Sequence, residues 1–495
     1  MSQPLWTSAE IAEATGGRVT AAFEAAGVSI DTRSLEAGDL FVALKDVRDG
    51  HEFVPAAFEA GASAALVSHE VEGATGPLII VDDVMAALEA LGVYARDRAK
   101  AATRIAVTGS VGKTSVKEMI ARIHRGAGRA HWSVKSFNNH WGVPLTLARM
   151  PADTEFAVFE IGMSTPGEIA PRSQMVAPHV AVITRIAPAH LEGLGSIEGV
   201  AKEKADICAG LLEAEGAAVC LPLGDDMLAY LAGRAHEMKP QAGLYVFGWQ
   251  DDLGKAEDMS CEGASLIQAY ESVDGVSHIS LNVLGKVIDT GINAVGRHWA
   301  DNAACALLAC GLDTSLDISK AASDLSGYLP PPGRGTAEMI ALPGGELTLV
   351  DDAYNANPAS MRAALASFAT REGKRHVVAL GEMLEVGATS GAEHSALEGP
   401  VVDSGAKLAF LAGEGMKPLA RALESRIETH WAAKADELTE LVKNSLTGGD
   451  LLLIKGSNAS GMSRLAESLR QWSAASDGQV MDRGSERTAG GADAV

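Results

Sequence analysis

Arg104-Ile105-Ala106-Val107-Thr108-Gly109-Ser110-Val111-Gly112-Lys113-Thr114-Ser115 runs from an apolar strand into a glycine turn, and Val116, Met119, Ile120 and Ile123 then recur at helical spacing. Strand, turn and helix in that order aim successive backbone amides and a helix N-terminus at a phosphate chain. Lys113 can neutralise the outer phosphates of ATP, and the Thr114 hydroxyl can hold Mg²⁺. Val107 stands where the broad P-loop pattern has its first glycine, so the loop is a variant form. The bland alternative is a glycine turn before an ordinary helix.

Working outward, the sequence divides into three α/β units. Residues 1–85 alternate short apolar runs (Leu40 to Leu44, Ala64 to Val67, Leu78 to Val81) with helical stretches. Residues 86–327 open on a helix over Met85 to Ala102 and continue through buried strands at Phe156 to Ile161, Val180 to Thr184 and Ala217 to Leu221, the pattern of a mainly parallel sheet. Period-two runs between Ser260 and Ile292 predict antiparallel strands added to it, and a long Ala-rich helix follows over Trp299 to Cys310. The dense Pro and Gly of Tyr328 to Gly335 mark the next junction. Residues 328–475 then read as a doubly wound, Rossmann-like unit, with strands at Leu347 to Val350, His376 to Leu380, Leu408 to Ala412 and Leu451 to Ile454. Residues 476–495 lack apolar periodicity and read as a disordered tail.

The 495 residues carry a formal charge of -23, which argues against nucleic acid or an anionic membrane as partner. Anionic ligands must be met by local cations and backbone amides. The five cysteines form no CxxC pair, and four lie in apolar surroundings where reduced, buried thiols are expected. The first residues have no export signal, and no apolar run is long enough to span a bilayer, so a cytoplasmic protein is expected.

Three further residues bear on chemistry. Glu160 ends the apolar strand Phe156-Ala157-Val158-Phe159, a poor place for a carboxylate unless a cation such as Mg²⁺ or a hydrogen-bond network receives it; solvent or a helix N-terminus would serve equally. His190 follows the next strand and should share the sheet edge of the phosphate loop, though a structural histidine is the commoner outcome. Lys204 lies in Val200-Ala201-Lys202-Glu203-Lys204, which by itself reads as a solvated charged helix face.

Taken together, the motifs resemble the Mur ligases of peptidoglycan precursor synthesis. The resemblance covers nearly the whole chain to about Leu469. It rests on Gly109 to Ser115, Ser136 to Leu147, Glu160-Ile161-Gly162 with Pro166-Gly167-Glu168-Ile169, Ala187 to Glu192, Gly296-Arg297-His298, Asp351-Asp352-Ala353-Tyr354-Asn355-Ala356-Asn357-Pro358, Leu380 to Glu385 and Lys455-Gly456-Ser457. The Tyr-Asn-Ala-Asn-Pro run with Asn138-Asn139 and Gly-Val-Pro-Leu-Thr-Leu resembles the members that add D-alanyl-D-alanine. The resemblance implies that Ser29, Asp31, Thr32, Arg33, Asp49 and His51 of the first unit hold the UDP end of a UDP-MurNAc-tripeptide, with Asn138, Asn139, Tyr354, Asn357, Lys455 and Ser457 as further substrate contacts. It implies ATP contacts at Asn302, Arg334, Asp351 and Asn355, besides the phosphate loop. Thr114 and Glu160 would serve Mg²⁺, His190 would stand beside a second metal, and Lys204 would be carbamylated; Lys113, Glu160, His190 and Lys204 are the catalytic set.

Two places depart from the family's commonest pattern: His298-Trp299-Ala300-Asp301-Asn302 replaces His-Asn-Val-x-Asn, and Ser164-Thr165 stands where Asn-His is frequent. Trp299 either packs on the base or anchors its helix in the core. The implied chemistry is attack of a carboxylate on the γ-phosphorus of ATP, then displacement of phosphate by an amine, in an enzyme expected to be a monomer whose third unit closes over ATP. A diamino-acid-adding ligase, a folylpolyglutamate synthetase and a non-enzymatic nucleotide switch are the competing readings.

Overall fold

The computed structural model describes residues 4–133, 136–189, 191–342, 345–384 and 386–472. The expected tail, 476–495, lies outside them.

The central sheet has nine strands. Thr103–Thr108 is third from one edge, between Phe156–Glu160 and Val180–Ile183, and every pairing from Ala130–Trp132 across to Gly263–Val273 is parallel. The expected antiparallel addition is present as Gly263–Val273, Val276–Val283 and Lys286–Ile292. Both faces are covered. Ile105 and Val107 pack into one core with the helices Lys113–Ala127 and Arg297–Gly311, while Ala106 packs into the other with Phe159 and Ile183. A strand buried on both sides must be apolar at consecutive positions, which is why it was legible as an unbroken run. Ala303, Ala304, Ala306 and Ala309 are buried in Arg297–Gly311, where small side chains let a helix of high propensity lie close to the sheet.

The chain crosses from one side of Thr103–Thr108 to the other after Phe156–Glu160. That reversal opens a crevice at the carboxyl ends of these strands, where the phosphate loop and Glu160 both emerge.

The first unit is a five-stranded sheet, parallel except for Arg18–Val19, and the third is a six-stranded sheet, parallel except for Thr336–Leu342. The boundary expected at 85 separates a helix from its core. Val84–Arg98, which also ends four residues before the expected Ala102, buries Leu88, Leu91 and Ala95 among residues of the first sheet. Helix Gly142–Ala148 is shared: Leu145 and Ala148 belong to the first core, Val143 and Leu147 to the central one. Trp6 is wholly buried, donates its indole N–H to Ala148 O at 2.8 Å and lies under Arg98.

His124 sits in the last turn of Lys113–Ala127, stacked on Phe156 beside Cys310, and among the described residues its Nδ1 has no hydrogen-bond partner. Burial lowers its pKa to about 4. The unfolded chain therefore takes up a proton at about 6.5, before the folded one does, and folding stability is lost as pH falls from about 6.5 to 4. The loss attributable to His124 is on the order of 3 kcal/mol. Denaturant titrations at pH 7.5 and 4.5 should show a smaller acid loss in His124→Leu than in wild type.

Candidate functional site

The phosphate loop is bound to the neighbouring strand's continuation by short contacts. Thr184 Oγ1 donates to Thr108 O at 3.1 Å and also reaches Val111 O, Ser110 N donates to Arg185 O at 2.7 Å, and the Ser110 hydroxyl bridges Ala187 O and Ala187 N. Two glycines are required. A Cβ on Gly109 (φ +144°) would lie 2.0 Å from Thr184 Oγ1, and one on Gly112 (φ +86°) 2.8 Å from Asn302 Oδ1. Lys113 folds back so that Nζ meets Gly109 O at 2.7 Å.

Glu160 is buried, and its carboxylate receives the Thr114 hydroxyl at 2.7 Å on one oxygen and the Asn138 amide at 2.7 Å on the other. Arg334, from the junction before the third sheet, donates to Thr114 Oγ1 at 2.9 Å and lies over the Tyr354 ring at 3.9 Å. Lys113, Thr114, Glu160, Asn138, Asn302 and Arg334 line one cleft of about 1130 Å³. Its wall also carries Asn139, Asp352, Tyr354, Asn355, Asn357 and Lys455 from beyond the loop. Seven lysines and arginines face five carboxylates along it, a local reversal of the chain's acidic balance.

Lys204 corrects the reading of its helix as a solvated face. Its side chain is wholly buried and, among the described residues, Nζ has no hydrogen-bond partner. Burial first, and then the charge of Lys113, hold its pKa well below the usual lysine range. The adjacent Glu203 explains how the helix is held: its carboxylate accepts the backbone N–H groups of Gly167, Glu168 and Ile169 at 2.7, 2.9 and 2.9 Å, capping helix Ile169–Val176. Ser164, where the family pattern is broken, donates its N–H to Glu168 at 2.7 Å.

Several other expected site residues also make structural contacts. Asp351 points away from the cleft and pairs with Arg470, because adjacent residues of a strand face opposite sides; Asp352 faces the cleft instead and pairs with Lys455 at 2.8 Å. Ser457 is buried, donating to Ala356 O and receiving Leu384 N–H. Asn357 caps helix Pro358–Ala369, Asn139 receives Gly142 N–H, and Asn355 Oδ1 receives the Ala356 N–H. Trp299 is buried and packed on Tyr328, and it also lines the cleft. His190 lies outside the described residues.

Ser29, Asp31, Arg33, Asp49 and His51 form two separate groups in the first unit, and neither they nor Thr32 line the cleft. Arg33 pairs with Asp31 at 2.6 Å on the surface, and the Ser29 hydroxyl meets Asp31 O. His51 bridges Asp49 at 2.6 Å and Ser68. The Asp-His-Ser order resembles a hydrolytic triad, but the Ser68 backbone N–H already donates to His51 Nε2 at 2.9 Å and occupies the lone pair a base would need. Ser136, 3.0 Å from the Thr114 hydroxyl, and the carboxylate of Asp352 were both within quoted motifs but had not been singled out.

This arrangement is similar to known proteins over most of the chain. The family model described as Mur ligase middle domain matches residues 107–310, and that described as Mur ligase, glutamate ligase domain matches 337–458. A UDP-N-acetylmuramoyl-tripeptide–D-alanyl-D-alanine ligase of Bacillus subtilis (strain 168) is 36% identical over 457 residues, 90% of this chain and 93% of that one. The chain belongs to the Mur ligase family. A second Mur ligase of the same name, from Escherichia coli (strain K12), is 34% identical over 453 residues, 90% of this chain and 93% of its own. The crystal structure of MurF from Acinetobacter baumannii superposes with a TM-score of 0.78 at 26% identity, covering 94% of this chain and 99% of that one. As a Mur ligase the chain is an ATP-dependent enzyme with three α/β domains.

Gly112→Ala places a methyl against Asn302 in a backbone conformation that costs an L-residue about 1–2 kcal/mol. Calorimetric titration should show ATP binding weakened by about tenfold or more in this variant, with the far-UV spectrum unchanged.

Proposed function

We propose that this Mur ligase joins the terminal carboxylate of UDP-N-acetylmuramoyl-tripeptide to the amine of D-alanyl-D-alanine, converting ATP to ADP and phosphate. The observation that supports it best is that Lys113, Thr114, Glu160 and Arg334 converge on one cleft in a chain matching ligases of that name over nine-tenths of its length.

A carboxylate acylates poorly because oxide is its leaving group. Its oxygen attacks the γ-phosphorus of ATP, the bond to the β-phosphate oxygen breaks, and ADP departs. The amine then attacks the acyl phosphate carbon, and phosphate leaves as the amide forms. Lys113 and the loop amides hold the outer phosphates while charge shifts from the bridging oxygen, and Arg334 adds a second positive charge from the third domain. Tyr354 and Lys455 face the same space and position the acid and amine. Exclusion of water protects the acyl phosphate, and closure of the third domain over ATP provides it.

Thr114 and Glu160 fit a divalent cation. Mg²⁺ takes hard oxygen ligands, commonly from one or two side chains plus substrate phosphates, and it needs no acidic cluster of its own. Among the described residues, no group of three or more His, Cys, Asp or Glu is placed to hold a metal. When bound, Mg²⁺ supplies charge neutralisation at the transferring phosphoryl group. Lys204 fits carbamylation for a separate reason: a buried amine without a partner stays neutral, and a neutral amine adds CO₂ with loss of one proton. The carbamate turns a buried neutral amine into a carboxylate-like ligand.

We infer a cytoplasmic location from the soluble nucleotide substrates, and propose that the enzyme acts as a monomer. Among the described residues, no helix is long and apolar enough to cross a membrane.

Phosphate release should require both UDP-N-acetylmuramoyl-tripeptide and D-alanyl-D-alanine, and release without a coupled amide product would refute the assignment. Lys204→Ala should lower kcat by about 100-fold or more, with partial recovery in added acetate, the range expected for losing one preorganised electrostatic group. A carbamate signal in ¹³C-bicarbonate NMR of wild type, missing from the variant, checks the modification; Lys204→Arg at full activity would exclude it.

A further inference from the structure

Phosphoryl transfer leaves part of the cleft wall without a role. Trp249 ends strand Gly243–Trp249, and Arg297 and Asp301 stand four apart on the first turns of helix Arg297–Gly311, on one face. The Arg297 guanidinium lies 3.4 Å from the centre of the Trp249 ring, and Tyr270 packs edge-on to the same indole. The Arg297 side chain is otherwise exposed. Asp301 lies within reach of the Trp249 indole and faces Arg185, Arg297 and Asp252. Asn302, the next residue, touches the phosphate loop at Gly112, so this wall begins where the loop ends.

Asp301 is half-buried, and loss of water lifts its pKa to about 6. An ionised carboxylate has about four acceptor positions, and one indole donor leaves most of them unfilled. A dehydrated acceptor with spare capacity gains from any donor brought to it. Nothing in the transfer of phosphate supplies one; the base of the nucleotide can.

We propose that Asp301 selects the nucleotide base by accepting a hydrogen bond from the exocyclic amine of adenine, while the Arg297 guanidinium, held flat by Trp249, stacks on the purine ring. This rests on the nucleotide site proposed above and adds its base specificity. A purine with a carbonyl in place of that amine sets lone pairs against the carboxylate and is rejected; a purine lacking the amine leaves it unpaired.

The test is a cycle between residue and ligand, read as Kd by calorimetry on the full chain with Mg²⁺ and without acid or amine. ATP is compared with purine riboside triphosphate, which lacks only the amine, and with GTP. Wild type should bind the deaminated analogue about tenfold or more weaker than ATP, the size of one charged hydrogen bond. Asp301→Ala should bind the two alike, and Asp301→Asn, whose neutral amide oxygen still accepts, should keep part of the difference. Trp249→Ala should weaken all nucleotides to a similar extent. An Asp301→Ala protein with the wild-type preference overturns the proposal. Should that variant fail to fold, wild type binding ATP and the analogue equally overturns it just as well. Wild type that binds no nucleotide refutes the ATP site itself, whereas tight ATP binding without discrimination refutes only the base assignment.

Discussion

A carboxylate buried at the end of an apolar strand is the constraint around which this molecule is arranged. Glu160 is held by the Thr114 hydroxyl on one oxygen and the Asn138 amide on the other, and both partners come from elements whose placement depends on it. Thr114 is in the first turn of the helix after the phosphate loop, and Asn138 belongs to the segment that leads into helix Gly142–Ala148. An unpaired charge at such a depth would cost several kcal/mol, so loop, strand and segment must meet in register or not at all. The same three groups form the floor on which a nucleotide's phosphates can rest, so the requirement of folding and that of chemistry coincide.

Much of this was legible because the decisive strands are buried on both faces. Thr103–Thr108, Phe156–Glu160 and Val180–Ile183 show as unbroken apolar runs, and the glycines after the first announce the loop by their φ requirement. Edge strands were harder. Thr336–Leu342 and Glu428–Ala432 are only partly buried, and their mixed sequences carry neither a run nor a clean alternation. The helix Val84–Arg98 was seen but assigned to the wrong side of a boundary, since apolar periodicity shows that a helix has a buried face and is silent about what covers it.

The site residues divide along the same physical line. Glu160 betrayed itself by being a charge in an apolar setting. Lys204 did not, because its neighbours Lys202 and Glu203 make the helix look solvated; only the packing shows that Glu203 is consumed in capping another helix and that Lys204 is sealed beneath it. Asp351 and Asp352 are adjacent and chemically identical, and which faces the cleft depends on the parity of a strand whose register is set by its partner Asp450–Lys455. No local pattern contains that parity.

The helix Gly142–Ala148, with residues in two cores, welds the first domain to the second, while the third meets the cleft through Asp352, Tyr354 and Lys455 and through the stretch that carries Arg334 between Gly333 and Gly335. The connection into the third domain thus bears a charge that touches the helix of the phosphate loop. A rotation at that connection would change the separation of Arg334 from Thr114, so mechanical opening and the electrostatic potential at the end of the phosphate chain would be a single coordinate, and neither could be adjusted without the other.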